Sequence, residues 1–423
     1  MTTKINNEHK KVYVPNKREQ NQTCLDSAER EGLSPKGNVP TLRFPEFQGE
    51  WEKCKVSDLL DFYSTNSLSW DKLEYGTDAI QNLHYGLIHV GLPTMIDLSK
   101  DKLPNITNGN TPKNYELCQE GDIAFADASE DTNEVAKAVE FYKLNGKDVI
   151  CGLHTIHGRD NQQKTVVGYK GYAFSSTAFH HQIRRIAQGT KIYSINSKNF
   201  SECYIGIPSK EEQKKIATLL RLIDERIVTQ NKIIEDLKKL KCAIAERIFK
   251  VTIGDVVALS DVCNIQKGKQ VNGDCLSENG TYYVMNGGTE PSGYYEQCNT
   301  PADTISISEG GNSCGYIQYN RETFWSGGHC YTLTNIQSNV CNLYLYHYLK
   351  SKESAIMKLR IGTGLPNIQK KDLEKFAVLL PPVAKQVRIS AFLTAVERKA
   401  TNEEILLSHF QEEKQYLLRQ MFI

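Results

Sequence analysis

The chain has 423 residues, of which 39% are hydrophobic and 24% charged, with a formal net charge of +1. This length predicts roughly two to three domains with substantial cores, and the composition excludes a disordered or membrane-embedded protein. No run approaches the roughly 20 apolar residues of a membrane span, and the first 40 residues lack the apolar core of a signal peptide, so the cytoplasm is the expected location.

A near-neutral total neither demands nor excludes a nucleic-acid partner, because a local basic surface can coexist with acidic helices. The 12 cysteines run from Cys24 to Cys341 with no Cys-x-x-Cys pair. They read as reduced thiols, and no metal site is expected.

In chain order, residues 1–38 are expected to form a flexible polar arm. Residues 39–208 read as a mixed domain, with strand-like runs at 122–126 and 165–167 between loops rich in Asn, Gly and Thr. A short helix over Ser176–Ile186 should end at Gly189, a C-cap glycine. The polar loops at 105–114 and 159–164 offer side chains that suit base edges and phosphates: Asn108, Asn110, Lys113, Asn114, Arg159, Asn161, Gln162 and Lys164.

A long helix is then expected over 209–250. Pro208 stands just ahead of it, and Ser209 with Glu212 has capping-box spacing. Its apolar residues alternate steps of four and three, as in a coiled-coil seam: Ile216, Leu220, Ile223, Ile227, polar Gln230, Ile234, Leu237, polar Lys241.

Residues 251–381 resemble the first domain in kind, with strands at 283–285 and 304–307 and a helical stretch at 343–359. The candidate contact residues here are Lys267, Lys269, Asn286, Ser292, Tyr294, Asn312 and Ser313. Gly287-Gly288 and Gly310-Gly311 are tight-turn glycines rather than phosphate cradles, since no Gly-Lys-Ser/Thr follows. Histidines 154, 157, 180, 181 and 329 lack metal-ligand spacing, and Phe324-Trp325 reads as core.

The last segment, 382–423, is a second long helix with seam residues Ile389, Leu393, Val396, Leu407, Phe410 and Leu417, and with polar Glu403 and Lys414. It is a repeat of the first. Sliding the chain against itself places Gly189 to Phe249 over Gly362 to Phe422 without gaps, with Pro208 on Pro381, Gln213 on Gln386, Leu220 on Leu393 and Lys241 on Lys414. The polar seam positions coincide, which favours two helices that pair with each other in one register. From about residue 213 to 249 each rod would span about 55 Å.

The segment Val39-Pro40-Thr41-Leu42-Arg43-Phe44-Pro45 with Gly49-Glu50-Trp51, the run Gly364-Leu365-Pro366-Asn367-Ile368 leading to Pro381-Pro382 and Gln386, and the motifs Asn286-Gly287-Gly288, Ser308-Glu309-Gly310-Gly311 and Trp325-Ser326-Gly327-Gly328-His329 together resemble the specificity subunits of type I restriction-modification systems. The first copy has Gly189-Thr190-Lys191-Ile192-Tyr193-Ser194-Ile195 where the second has the fuller motif.

The resemblance implies an α+β fold: two target-recognition domains, each followed by a long helix, the helices pairing as an antiparallel coiled coil. It implies a non-catalytic reader of a bipartite site in double-stranded DNA. Two modification methyltransferase subunits and restriction/translocase subunits would be its partners, and S-adenosylmethionine, Mg and ATP would be bound by those partners and not by this chain. The helix length then corresponds to about 16 base pairs. The chain lacks an Asn/Asp-Pro-Pro-Tyr/Phe tetrapeptide and a Walker-type loop. The competing readings are a stand-alone restriction or modification enzyme, and a coiled-coil interaction protein with no DNA role.

Overall fold

Proline punctuates the chain at the two places where a strand gives way to a long helix. Tyr204–Ile207 ends at Pro208 and Ala377–Leu380 at Pro381-Pro382, and the helices Lys210–Val251 and Val383–Gln420 follow. Proline has no N–H to donate to a ladder and its fixed φ suits a helical first turn, so it ends one element and starts the next. The structure is a computed structural model and describes residues 37–362, 364 and 366–423. The expected flexible arm therefore lies almost wholly outside the described residues.

Contacts divide the chain into two units, one formed by residues up to Glu225 together with Gln411–Ile423, the other by Arg226–Phe410. Each unit thus contains one mixed domain, the first part of one long helix or the last, and the complementary part of the other.

In the first unit the opening strand Glu52–Lys55 pairs antiparallel with the closing strand Tyr204–Ile207. A five-stranded mixed sheet runs in the order Asp61–Tyr63, Thr155–Arg159, Ile123–Ala126, Ala138–Lys143, Met95–Asp97, and a four-stranded sheet carries Val149–Cys151 beside Gln81–Leu83. Ile123–Ala126 is buried along its whole length, as a central strand covered on both faces should be. Phe125, Phe174, Phe179 and Phe200 pack edge-to-face at centroid separations of 4.8–4.9 Å between neighbours.

The run 165–167 is not a strand: the Asp160 carboxylate gathers the Thr165 N–H and hydroxyl at 2.8 and 2.7 Å, which turns the chain there instead. The helix Thr177–Ile186 is N-capped by the Ser176 hydroxyl, but its C-cap is Ala187. Gly189, at φ +138°, forms the following turn, where a Cβ would stand 1.9 Å from the Ile192 carbonyl oxygen.

The second unit repeats the frame with other contents. Asp255–Ala258 pairs with Ala377–Leu380, and an antiparallel sheet runs Asn264–Lys267, Cys330–Thr334, Thr304–Ser308, Ile317–Asn320. The expected single helical stretch at 343–359 is broken into Asn342–Ser351 and Glu353–Met357. Its core joins Leu259, Ile305, Ile307, Leu333, Leu345 and Leu349 to Phe249 from the end of the first long helix and to Ile389 and Leu393 from the start of the second. No helix among the described residues is long and apolar enough to cross a membrane.

Candidate nucleic-acid interface and its helix pair

The start of each long helix is locked to its domain by one glutamine. Gln213 accepts from the Val166 N–H at 2.8 Å and donates to the carbonyls of Lys164 and Pro208. Gln386 does the same with the Cys341 N–H, at 2.8 Å, and with the carbonyls of Asn339 and Pro381. Both are buried. Each side chain satisfies three backbone groups that would otherwise be stranded at a buried junction.

The expected capping box at the first helix is half formed. Ser209 Oγ accepts from the Glu212 N–H at 3.3 Å, but the Glu212 carboxylate turns away to hold the Arg43 guanidinium at 2.7 and 2.8 Å. A charge-assisted bidentate pair outweighs a bond to one backbone N–H.

Along the helices, Gln230 donates to Glu403, and Lys241 pairs with Glu397 at 2.5 Å, which Tyr346 also donates to. Burial pushes the Glu397 carboxyl up, but the Lys241 ammonium more than offsets it and holds the group below its usual range. In the other unit Lys414 pairs with Asp224 at 2.6 Å, and Tyr172 donates to Asp224 at 2.9 Å. Lys241 and Lys414, like Glu397 and Asp224, are repeat-equivalent at an offset of 173, and a tyrosine completes each group. In the second unit the partner falls from Glu403 to Glu397 as the first helix advances from Gln230 to Lys241, so there the helices lie antiparallel. Of the seam residues, Ile216, Leu220, Ile223, Ile234, Ile389, Leu393 and Leu417 are buried, while Ile227, Leu237, Val396, Leu407 and Phe410 are half-buried. Arg226 covers the Phe410 ring at 5.4 Å.

Ile389 and Leu393 also reach into the second domain's core, in one buried cluster that includes Ala245 and Phe249 of the first long helix, because the glutamine lock lays the helix's first turns against that domain.

In the first domain, Asn108, Lys113 and Asn114 are exposed on the loop that follows Asn105–Ile106. Asn110 is half-buried and donates to Thr107 Oγ1 at 2.9 Å. Gln162 is exposed, Asn161 donates to Asp61 and to the Tyr63 hydroxyl at 2.7 and 2.9 Å, and half-buried Lys164 faces Glu52 at 3.6 Å.

Arg159 is a correction. It is only 8% exposed, held bidentate by Asp122 at 2.8 and 2.9 Å and by Glu116 at 2.6 Å, with its guanidinium 4.5 Å from the Tyr63 ring centroid. An arginine already desolvated by two carboxylates has no fork left for a phosphate or a guanine.

In the second domain the structure gathers several predicted loops around Glu309. Lys267 pairs with it at 2.6 Å and Tyr331 donates to it at 3.0 Å. Ser308 Oγ donates to the Gly287 carbonyl at 2.6 Å, tying the 286–288 loop to the 308–313 loop. Asn286 accepts from the His329 N–H at 3.1 Å, so it positions the glycine loop before it. Gly287 and Gly311 have φ +90° and +75°, as turn glycines require. Lys269, Ser292, Tyr294 and Asn312 are exposed and Ser313 is half-buried. Phe324 is buried against Tyr283, and Trp325 donates its indole N–H to the Lys269 carbonyl. Sequence reasoning missed Glu309 as the hub of these loops. It also missed the buried group around Asp122, which receives His157 Nε2 at 2.8 Å as well as Arg159.

A family model described as "Type I restriction modification DNA specificity domain" matches residues 102–239 and 254–407. A Mycoplasma pneumoniae protein named as a type I specificity subunit is 32% identical over 151 residues, which is 36% of this chain and 38% of that protein. A Methanocaldococcus jannaschii protein named as the MjaX specificity subunit is 23% identical over 398 residues, covering 85% of this chain and 90% of that one. The chain thus spans well under two thirds of the first relative's length. The crystal structure of a type I restriction-modification S subunit from M. genitalium superposes with a TM-score of 0.58 at 19% identity, over 91% of this chain and 99% of that chain, a likeness of fold.

Proposed function

The chain belongs to the type I restriction-modification DNA specificity family, and on that premise we propose that it reads a bipartite site in double-stranded DNA, one half-site with each domain. The observation that supports this most is the repeated frame with unlike loops. The glutamine locks at Gln213 and Gln386 and the triads at Asp224 and Glu397 are the same in both copies. The loops of the two domains carry different polar residues: Asn108, Lys113, Asn114 and Gln162 in one, Lys269, Ser292, Tyr294 and Asn312 in the other. One scaffold presenting two different edges is what reading two different half-sites requires.

In this reading base-edge contacts supply specificity, and Lys and Arg contacts to phosphate supply salt-dependent affinity. The chain performs no chemistry. It works in the cytoplasm with two modification methyltransferase subunits, which flip and methylate an adenine in each half, and with restriction/translocase subunits. S-adenosylmethionine, Mg and ATP are bound by those partners. The helix pair sets the spacer between half-sites.

The test is to replace residues 39–208 by another such domain and map methylated adenines in cells that carry the partners. One half of the recognised sequence should change and the other stay. A change in both halves, or in neither, contradicts modular reading. Inserting two helical turns after Gln230 together with the matching insertion after Glu403 should lengthen the spacer.

A further inference from the structure

Cys118, Cys151 and His157 meet inside the first domain and play no part in the reading above. All three are buried, and their ligand atoms lie within 4.8 Å of one another. The two sulfurs are 3.6 Å apart, and the cysteines are free. The thiols share a hydrogen bond at this distance; two thiolates on one tetrahedral zinc, each at about 2.3 Å, would be about 3.8 Å apart, so the pair needs little movement to hold an ion.

The histidine supplies a second, independent observation. Its Nε2 is fixed by Asp122 at 2.8 Å, whereas its Nδ1 is buried with no hydrogen-bond partner. A ring clamped on one nitrogen by a carboxylate and free on the other is the arrangement that metal-ligating histidines adopt. Asp122 is itself held by Arg159, so the orienting carboxylate cannot swing away. We propose that Cys118, Cys151 and His157 bind one zinc ion.

Thiolate and imidazole ligands select zinc over magnesium or calcium, which take oxygen. Two thiolates and one divalent cation sum to zero charge, which a buried site tolerates. Binding releases the two thiol protons to solvent. Three protein ligands leave one position for a water, and the burial of all three ligands keeps bulky substrates away from the ion. It would tie the segment before Ile123 and the end of Val149–Cys151 to the strand Thr155–Arg159, which runs directly into the 160–164 loop.

The test uses the full chain, purified in metal-free buffer after exposure to zinc alone. Elemental analysis should find one zinc per chain, falling at least about tenfold in Cys118→Ser/Cys151→Ser and in His157→Ala, but not in Cys263→Ser/Cys330→Ser, which alters buried cysteines of the other domain. Should the ligand variants fail to fold, the unmodified chain decides: loaded with cobalt(II), it should show a thiolate-to-metal charge-transfer band and tetrahedral d–d absorption. A chain that takes up no zinc, shows no such band, retains its zinc without Cys118 and Cys151, or carries a Cys118–Cys151 disulfide in its intact mass overturns the assignment.

Discussion

Gln230 Nε2 donates to the backbone carbonyl of Glu403 at 3.1 Å and to its carboxylate, and the two residues stand 173 positions apart, the offset of the repeat itself. A residue that meets its own repeat-equivalent marks the point about which the two antiparallel helices are locally two-fold related, as in an isologous contact. Lys399 also holds the Glu403 carboxylate, so the buried polar pair is well satisfied. Such a pair fixes register more than it adds stability.

Removing one partner should therefore cost more than removing both. Gln230→Leu alone should open the helix pair more readily, because it takes from Glu403 one of its two side-chain partners, while Gln230→Leu with Glu403→Leu should return close to the parent. Native-state hydrogen exchange along 226–240 and 396–410 measures both. A double variant as weak as the sum of the singles would refute the desolvation argument.

The glutamine locks should behave as twins. Gln213→Ala leaves the Val166 N–H and two carbonyls unpaired, and Gln386→Ala does the same to the Cys341 N–H and its two carbonyls. Each should cost about 1–3 kcal/mol, with faster amide exchange confined to its own unit.

Arg159 and Gln162 should separate stability from reading. Arg159→Ala uncovers Asp122 and Glu116 and should destabilise the domain by about 3–5 kcal/mol, because a buried charge is left without its partner. Gln162→Ala removes an exposed amide, should stay within about 0.5 kcal/mol, and should relax base preference in one half-site only. Thermal melting and methylation mapping distinguish the two.

His347 should make the second unit acid-sensitive. It is 2% exposed, shares a 2.9 Å hydrogen bond with Thr394, and burial lowers its pKa from 6.5 to about 4. The folded state keeps the ring neutral, whereas the unfolded state takes up a proton below about pH 6.5. Stability is thus full above that pH and lost as pH falls toward about 4, by up to about 3 kcal/mol. His347→Gln should flatten the melting-temperature profile of the full chain between about pH 6.5 and about pH 4.

Much of the helical frame was legible in the chain. The four-three spacing of Ile216, Leu220 and Ile223, the prolines ahead of each rod and the coincidence of Gln213 with Gln386 are local or periodic signals. Even the departure at residues 189–195 keeps its frame, since the bridge Gln188↔Ser194 recurs as Ile361↔Asn367. The fate of single polar residues was not legible. Arg159 sits in a loop-like run that suits DNA, yet its neighbour in space is Asp122, 37 residues away.

By itself, then, the sequence determined the doubling: which segments repeat, where the rods begin, and which polar residues share the seam. Periodicity and identity at a fixed offset survive in one dimension. Only the tertiary structure decided which charges are spent inside the fold, that Ile389 and Leu393 serve a domain core, that Glu309 gathers the second domain's loops, and that Cys118, Cys151 and His157 converge. Burial and pairing at long sequence separation depend on how sheets close, and the spacing of residues along the chain does not encode that.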